Sequence, residues 1–235
     1  MFFELFTTFI SLWVTAVNAE PISIPATATT PAYSIDRHEV TIHQYNQFID
    51  AGGYDNQSLW SETGWRWAQS NPATKMSTAR VSGRDPRHPV VAVSWFEADA
   101  YCRWRGGSLP SDDQWSQAVC SEQRFPWGDE EASGRGRQAA SAGPAWFAEG
   151  KYGHVTAVNT LPADQQRQDL IGPYGLLHGA GNVWEWTSTP FSDQTDLQTL
   201  RGGSYTNLPS YCICDHREPA RATDQRLTVG FRCSY

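Results

Sequence analysis

Cys212, Cys214 and His216 stand at alternate positions in Arg201–Arg221, RGGSYTNLPSYCICDHREPAR. On a strand, alternate residues share a face. C-x-C-x-H could therefore present two thiolates and an imidazole to a soft metal such as Cu(I) or Zn(II). The competing reading pairs one or both cysteines elsewhere and leaves His216 exposed. A bridge between Cys212 and Cys214 is disfavoured, because one intervening residue strains disulfide geometry. A second group lies upstream in Gly179–Trp186, GAGNVWEW. Glu185 sits there between two tryptophans, where a carboxylate is costly to bury alone. It either ligates a hard cation with help from backbone carbonyls, as in calcium sites, or it meets an arginine.

Other chemistries find no support. The chain has no G-x-S-x-G elbow, P-loop, GxGxxG or HExxH pattern. His38 and His43 straddle the predicted start of the first helix and read as surface histidines. The formal net charge is −7 and the Lys and Arg residues are scattered, so no basic stripe offers itself to nucleic acid. Five cysteines is an odd number, so pairing leaves at least one thiol over.

The elements that must position these groups are short. At 235 residues the chain forms one large or two small domains. Eleven tryptophans, with 19 glycines and 14 prolines, suggest a loop-rich domain held by large aromatics. Residues 1–19, MFFELFTTFISLWVTAVNA, read as an export signal closing on Val17-Asn18-Ala19. An uncleaved membrane anchor is the rival, although Glu4, Thr7, Thr8 and Ser11 make a poor span. Residues 20–31 read as a flexible or extended linker, and residues 32–235 as the folded domain. Exported cysteines live in an oxidising compartment, so disulfides are expected.

Three capping boxes predict three helices. One opens at Thr41 with Gln44 and stops at Gly52-Gly53. Another opens at Ser94 with Glu97 and stops at Gly106-Gly107. The last opens at Ser111 with Gln114 and runs to about Cys120. Strands are expected at Val155–Leu161, Val183–Thr187, Leu200–Tyr205, Tyr211–Cys214 and Thr228–Cys233. Helices first and irregular antiparallel sheet later make an α+β arrangement.

Six stretches taken together resemble the formylglycine-generating enzyme, or sulfatase-modifying factor, family. In order they are DRHEVTIHQYNQFIDAGGY (36–54), HPVVAVSWFEADAYCRWRGGSLPSDDQW (88–115), FPWG (125–128), YGLLHGAGNVWEWTS (174–188), RGGSY (201–205) and GFRC (230–233). The resemblance implies a single compact, loop-rich α+β domain with a remote C-type-lectin-like topology. It also implies calcium sites and, in the formylglycine-forming members, a copper oxidase acting on a substrate cysteine.

Carried over residue by residue, the pattern departs at the centre. Family enzymes place two active-site cysteines after the RGGS strand; here those positions are Asn207 and Cys212. Ser204, Tyr211 and Trp184 match residues lining the family's pocket. One thiolate does not give Cu(I) the soft linear coordination that it favours, so Cys214 or His216 would have to supply a second ligand to copper. The resemblance also implies disulfides Cys102–Cys233 and Cys120–Cys214, which leaves Cys212 as the free thiol. For calcium it implies the backbone of Gly181 and Val183 and the Glu185 carboxylate, with His178 where an Asn or Asp is expected. Ser108 stands where an arginine usually precedes the Leu-Pro.

Some family members do not make formylglycine. They include a module of ergothioneine synthases, whose iron ligands lie partly in another domain, a pyoverdine-maturation protein and accessory proteins encoded beside nitrite reductases. The expectation is an exported, periplasmic or secreted member that oxidatively matures a product. Its substrate would be a protein, a peptide or a peptide-derived molecule. No nucleic acid and no stable membrane span after signal cleavage are expected. The alternative is a non-catalytic accessory or binding module on the same fold, and a third reading is genuine formylglycine formation.

Overall fold

The structure is a computed structural model and describes residues 20–72, 85–121, 123–128, 160–164, 171–193, 196–207 and 209–235. Its elements follow from local sequence rules. Helix α1, Ile42–Asp50, starts at Thr41, whose hydroxyl accepts the Gln44 amide while the Gln44 side chain accepts the Thr41 amide. Helix α3, Trp95–Trp104, and α4, Asp112–Cys120, open on the same reciprocal motif at Ser94/Glu97 and Ser111/Gln114. Each box satisfies two amides that a helix start leaves bare. Helix α2, Glu62–Ser70, was not expected from the sequence. It has the Ser61 cap but Gly64 where a box would carry Glu or Gln, and that weakens its signature.

The main sheet has four strands in the order β5-β4-β3-β6: β3 is Trp184–Pro190, β4 Leu197–Arg201, β5 Glu218–Arg221 and β6 Val229–Gly230. Strand β3 pairs antiparallel with β4 and parallel with β6. β4 ends at Arg201, short of the expected Tyr205, because Gly202 and Gly203 turn the chain at φ +92° and +77°. Tyr211–Cys214 is not a strand. A 3₁₀ turn at Pro209–Tyr211 runs into further turns there, so the shared-face premise for C-x-C-x-H fails. The expected strand Val155–Leu161 lies outside the described residues except for Thr160 and Leu161, which are not in a strand.

A small hairpin of β1 (Ile22–Ile24) and β2 (Tyr33–Ile35) lies at the start. Part of the expected linker is thus extended but docked: Ile24 and Ile35 are buried with Trp115, Val119, Leu176 and Cys214. The larger core gathers Tyr45, Phe48, Tyr101, Trp186 and Phe231, with Tyr45 stacked on Tyr101 and Phe231 edge-on to both. The C-terminus is woven in. Ser34 and Tyr235 exchange backbone hydrogen bonds, and Ser108 does the same with Ser234. Disulfides join Cys102 to Cys233 and Cys120 to Cys214. Both match the pairing that the resemblance implied. Among the described residues, no helix is long and apolar enough to cross a membrane.

Candidate functional site

The turn after β4 is closed by Asn207. Its Oδ1 accepts from the Ser204 amide at 3.0 Å and from the Ser204 hydroxyl at 2.6 Å, while its own amide donates to the Ser204 carbonyl at 3.0 Å. Asparagine suits this work, because its side chain mimics a turn of backbone. The Ser204 hydroxyl also lies 2.9 Å from that of Thr206. One end of the expected thiol pair is therefore given over to structure: Asn207 holds the turn together, and the pocket residue Ser204 is engaged by it.

Cys212 is the free thiol and is only 2% exposed. It packs with Ala180 and the half-buried Trp127. Burial pushes its thiol up to about 12, against the opposing pull of the Gly181 amide. At neutral pH it is a thiol, a small apolar group rather than a nucleophile or soft ligand. The fit with its neighbour is close: a Cβ on Gly203 would meet the Cys212 Sγ at 2.8 Å, and Gly203 has φ +77°. Gly203→Ala is therefore expected to cost about 1–3 kcal/mol from the combined strain and overpacking, read by urea unfolding.

Tyr211 and His216 form an aromatic wall with Trp184. Their ring centroids are 4.9 Å apart, and both rings lie against Trp184, at 6.5 Å and 5.7 Å. Tyr211 is 37% exposed, one of two large hydrophobic residues standing in solvent among the described residues. The Glu218 carboxylate is 3.7 Å from His216 Nε2, and the buried Arg201 fixes the His216 carbonyl at 2.7 Å. His216 thus belongs to this wall. Cys214 is bridged to Cys120, so it is not available as a metal ligand.

The donor set does not fit copper by the two-thiolate pattern. One cysteine is absorbed in a disulfide, the other is buried and protonated, and the amide of Asn207 is occupied. Among the described residues, no group of three or more His, Cys, Asp or Glu side chains is arranged to hold a metal ion.

Glu185 takes the second of its two expected roles and meets an arginine. Arg232 binds it through two contacts of 2.6 Å, from Nε to Oε2 and from Nη2 to Oε1, with both side chains at 0% exposure. The Trp115 indole N–H donates to Oε2 at 2.8 Å. Glu185 arrives there because the first four residues of β3 are buried on both faces of the sheet, and Arg232 because the terminal segment is tied in by Cys233. A calcium ion on this carboxylate would lie against a guanidinium that already holds both oxygens. The set Gly181, Val183 and Glu185 does not fit calcium.

Sequence reading missed two partners of this cluster. Glu39 is 0% exposed and accepts the Asn182 side-chain amide at 2.9 Å. Arg232 was seen only as part of GFRC. An apolar-flanked Arg beside a buried Glu is the signal that would have paired it with Glu185. His38, expected at the surface, is 6% exposed, its Nδ1 2.8 Å from the Glu39 carbonyl.

Comparison with known proteins places this arrangement. The family described as the sulfatase-modifying factor enzyme 1-like domain matches residues 14–235. Hercynine oxygenase of Mycolicibacterium smegmatis is 31% identical over 249 residues, covering 87% of this chain and 53% of that protein. The chain spans about half the length of such first-ranking relatives. The formylglycine-generating enzyme of Mycobacterium tuberculosis is 30% identical over 271 residues, covering 88% of each. Among solved structures, PvdO from Pseudomonas aeruginosa superposes with a TM-score of 0.60 at 15% identity, over 92% of this chain and 90% of that one. That likeness concerns the fold.

Proposed function

The chain belongs to the sulfatase-modifying factor enzyme 1-like family, and from that premise we propose an exported accessory member that binds a protein, peptide or peptide-derived substrate without forming formylglycine. The observation that carries this reading is the state of Cys212. It is a free thiol buried to 2% exposure, with burial pushing its pKa up, and Asn207 is bonded to Ser204 where a second thiol would stand. The wall of Tyr211, His216 and Trp184 offers the binding surface, and Glu218 beside it favours a substrate group that is neutral or cationic. Two disulfides support an oxidising compartment, which agrees with residues 1–19 acting as an export signal.

A second reading keeps an oxidative maturation role, with Cys212 as the surviving active thiol beside Ser204, Tyr211 and Trp184. The similarity to hercynine oxygenase favours it, since that relative is named for an oxidation. The two readings part on copper and thiol chemistry. The purified protein is expected to bind Cu(I) no more tightly than its Cys212→Ser variant, and to leave the thiol of a Cys-x-Pro-x-Arg peptide intact under oxygen. Cys212 should react with a thiol reagent far more slowly in the folded protein than after denaturation. Tight one-to-one Cu(I) binding lost in Cys212→Ser, or consumption of the peptide thiol, would overturn the accessory reading.

A further inference from the structure

The cluster beneath the site holds two buried carboxylates and one guanidinium. All five N–H groups of Arg232 are accounted for. Nε and Nη2 donate to Glu185, Nη2 also donates to the Leu177 carbonyl at 2.9 Å, and Nη1 donates to the carbonyls of Asp36 and Arg37 at 3.2 Å each. None remains for Glu39. That side chain, at 0% exposure, is met by two neutral donors among the described residues: the Asn182 side-chain amide on Oε1 and its own backbone N–H. Its Oε2 is buried and, among the described residues, has no hydrogen-bond partner. An ionised carboxylate with only neutral donors, near a second carboxylate that already holds the Arg232 guanidinium, is costly to bury.

We propose that Glu39 works as a neutral, protonated acid whose task is to position the Asn182 loop of the candidate site. Asn182 is where that loop is most constrained. It holds a left-handed conformation at φ +62°, unusual outside glycine. Its side-chain Oδ1 accepts from the Leu161 amide at 2.9 Å, and its backbone carbonyl accepts from the Tyr205 amide at 3.0 Å. The neighbouring Gly181 amide donates to the Gly202 carbonyl at 2.8 Å. Glu39 thus holds, through one amide, the backbone that packs over Ser204 and Cys212. It is a positioning residue and touches no substrate surface. The inference does not depend on which ligand the Tyr211 wall takes.

The charges around it set the direction of any response to pH. Burial is the largest influence on Glu39 and pushes it up from its ordinary 4.5 to about 8; Arg232 pulls it down, and Glu185 pushes it further up. Asp36 also acts on the Arg232 guanidinium, and the adjacent His38 ring is held below its ordinary value by burial. An acid raised by folding lends stability that is complete below the ordinary carboxylate range and is lost as pH rises through its folded value. For Glu39 the loss should run up to and through about 8. On ionisation the Asn182 loop should loosen.

The test compares wild type with Glu39→Gln, which keeps the shape and the acceptor for Asn182 but cannot ionise. The infrared difference spectrum between them should contain a carboxylic acid C=O band at about pH 6 that fades as pH approaches about 9. The labelling rate of Cys212, taken as a ratio of wild type to Glu39→Gln at each pH, cancels the thiolate fraction common to both. That ratio should be about one at pH 6 and rise several-fold by about pH 9 as the loop opens. An absent acid band, or a ratio independent of pH, would overturn the proposal. So would calcium removing the band, since the orphan oxygen would then be a cation ligand. Should Glu39→Gln fail to fold, the band in wild type and its response to pH and calcium decide the matter alone.

Discussion

Arg232→Met is expected to cost about 3–5 kcal/mol, the loss typical of stranding one partner of a buried ion pair. Removing the guanidinium leaves the Glu185 carboxylate at 0% exposure with, among the described residues, only the Trp115 N–H as a donor, and with Glu39 nearby. It also takes the Arg232 donor from the carbonyls of Asp36 and Leu177, while the Arg37 carbonyl keeps the Leu177 amide at 2.8 Å. Urea unfolding at neutral pH would measure the cost. Glu185→Gln in the Arg232→Met background removes the stranded charge and should recover part of the loss; the double-mutant cycle gives the coupling. A single-variant cost below about 1 kcal/mol would mean that the pair does not hold β3 to the terminal segment.

The second large effect is at the outer disulfide. Replacing Cys102 and Cys233 with serine releases a loop with a sequence separation of 131. Chain-entropy arguments for a loop of that size give an upper figure of about 5 kcal/mol, with about 2–5 kcal/mol typical. The inner bridge Cys120–Cys214 lies within that loop and still constrains the unfolded chain, so the observed loss should fall toward the lower part of the range. Two buried sites would also receive hydroxyls, since both cysteines are 0% exposed. The end of the chain should loosen, because the Ser34–Tyr235 and Ser108–Ser234 hydrogen bonds depend on a tethered terminus. Hydrogen exchange at Ser34, Ser108 and Tyr235 would report it. Unchanged protection there would show that backbone pairing alone anchors the terminus.

How much of this was legible beforehand varies with the range of each interaction. The three capping boxes were legible because both partners lie within four residues. Helix α2 was missed because Gly64 breaks the box and Trp65 and Trp67 stand at a strand-like spacing. Hairpin β1–β2 was missed because its apolar face, Ile24 and Ile35, gains meaning only beside Trp115 and Cys214 from distant stretches. A strand was expected at Tyr211–Cys214 among short strands separated by glycine turns, but the 3₁₀ turn at Pro209–Tyr211 and the Cys120 bridge bend the segment. In the site, Cys212, Tyr211, His216 and Trp184 were all named from sequence. The structure draws three of them into one aromatic wall and buries the fourth with Ala180 and Trp127.

By itself the sequence determined the family, the helix starts and the replacement of one thiol by Asn207. These are written in residue identities and short spacings, which need no folded context. Only the tertiary structure decided what the charged and sulfur-bearing residues do there. Glu185 could have met calcium or an arginine; Arg232, 47 residues away, settles it. Asn207 could have been a weak ligand, but the turn after β4 commits its oxygen to Ser204. Cys212 could have been a reactive thiol, but packing with Ala180 and Trp127 buries it. The physical reason is the same in each case. Ionisation and ligation depend on desolvation and on which donors arrive, and both are set by segments far away in the chain.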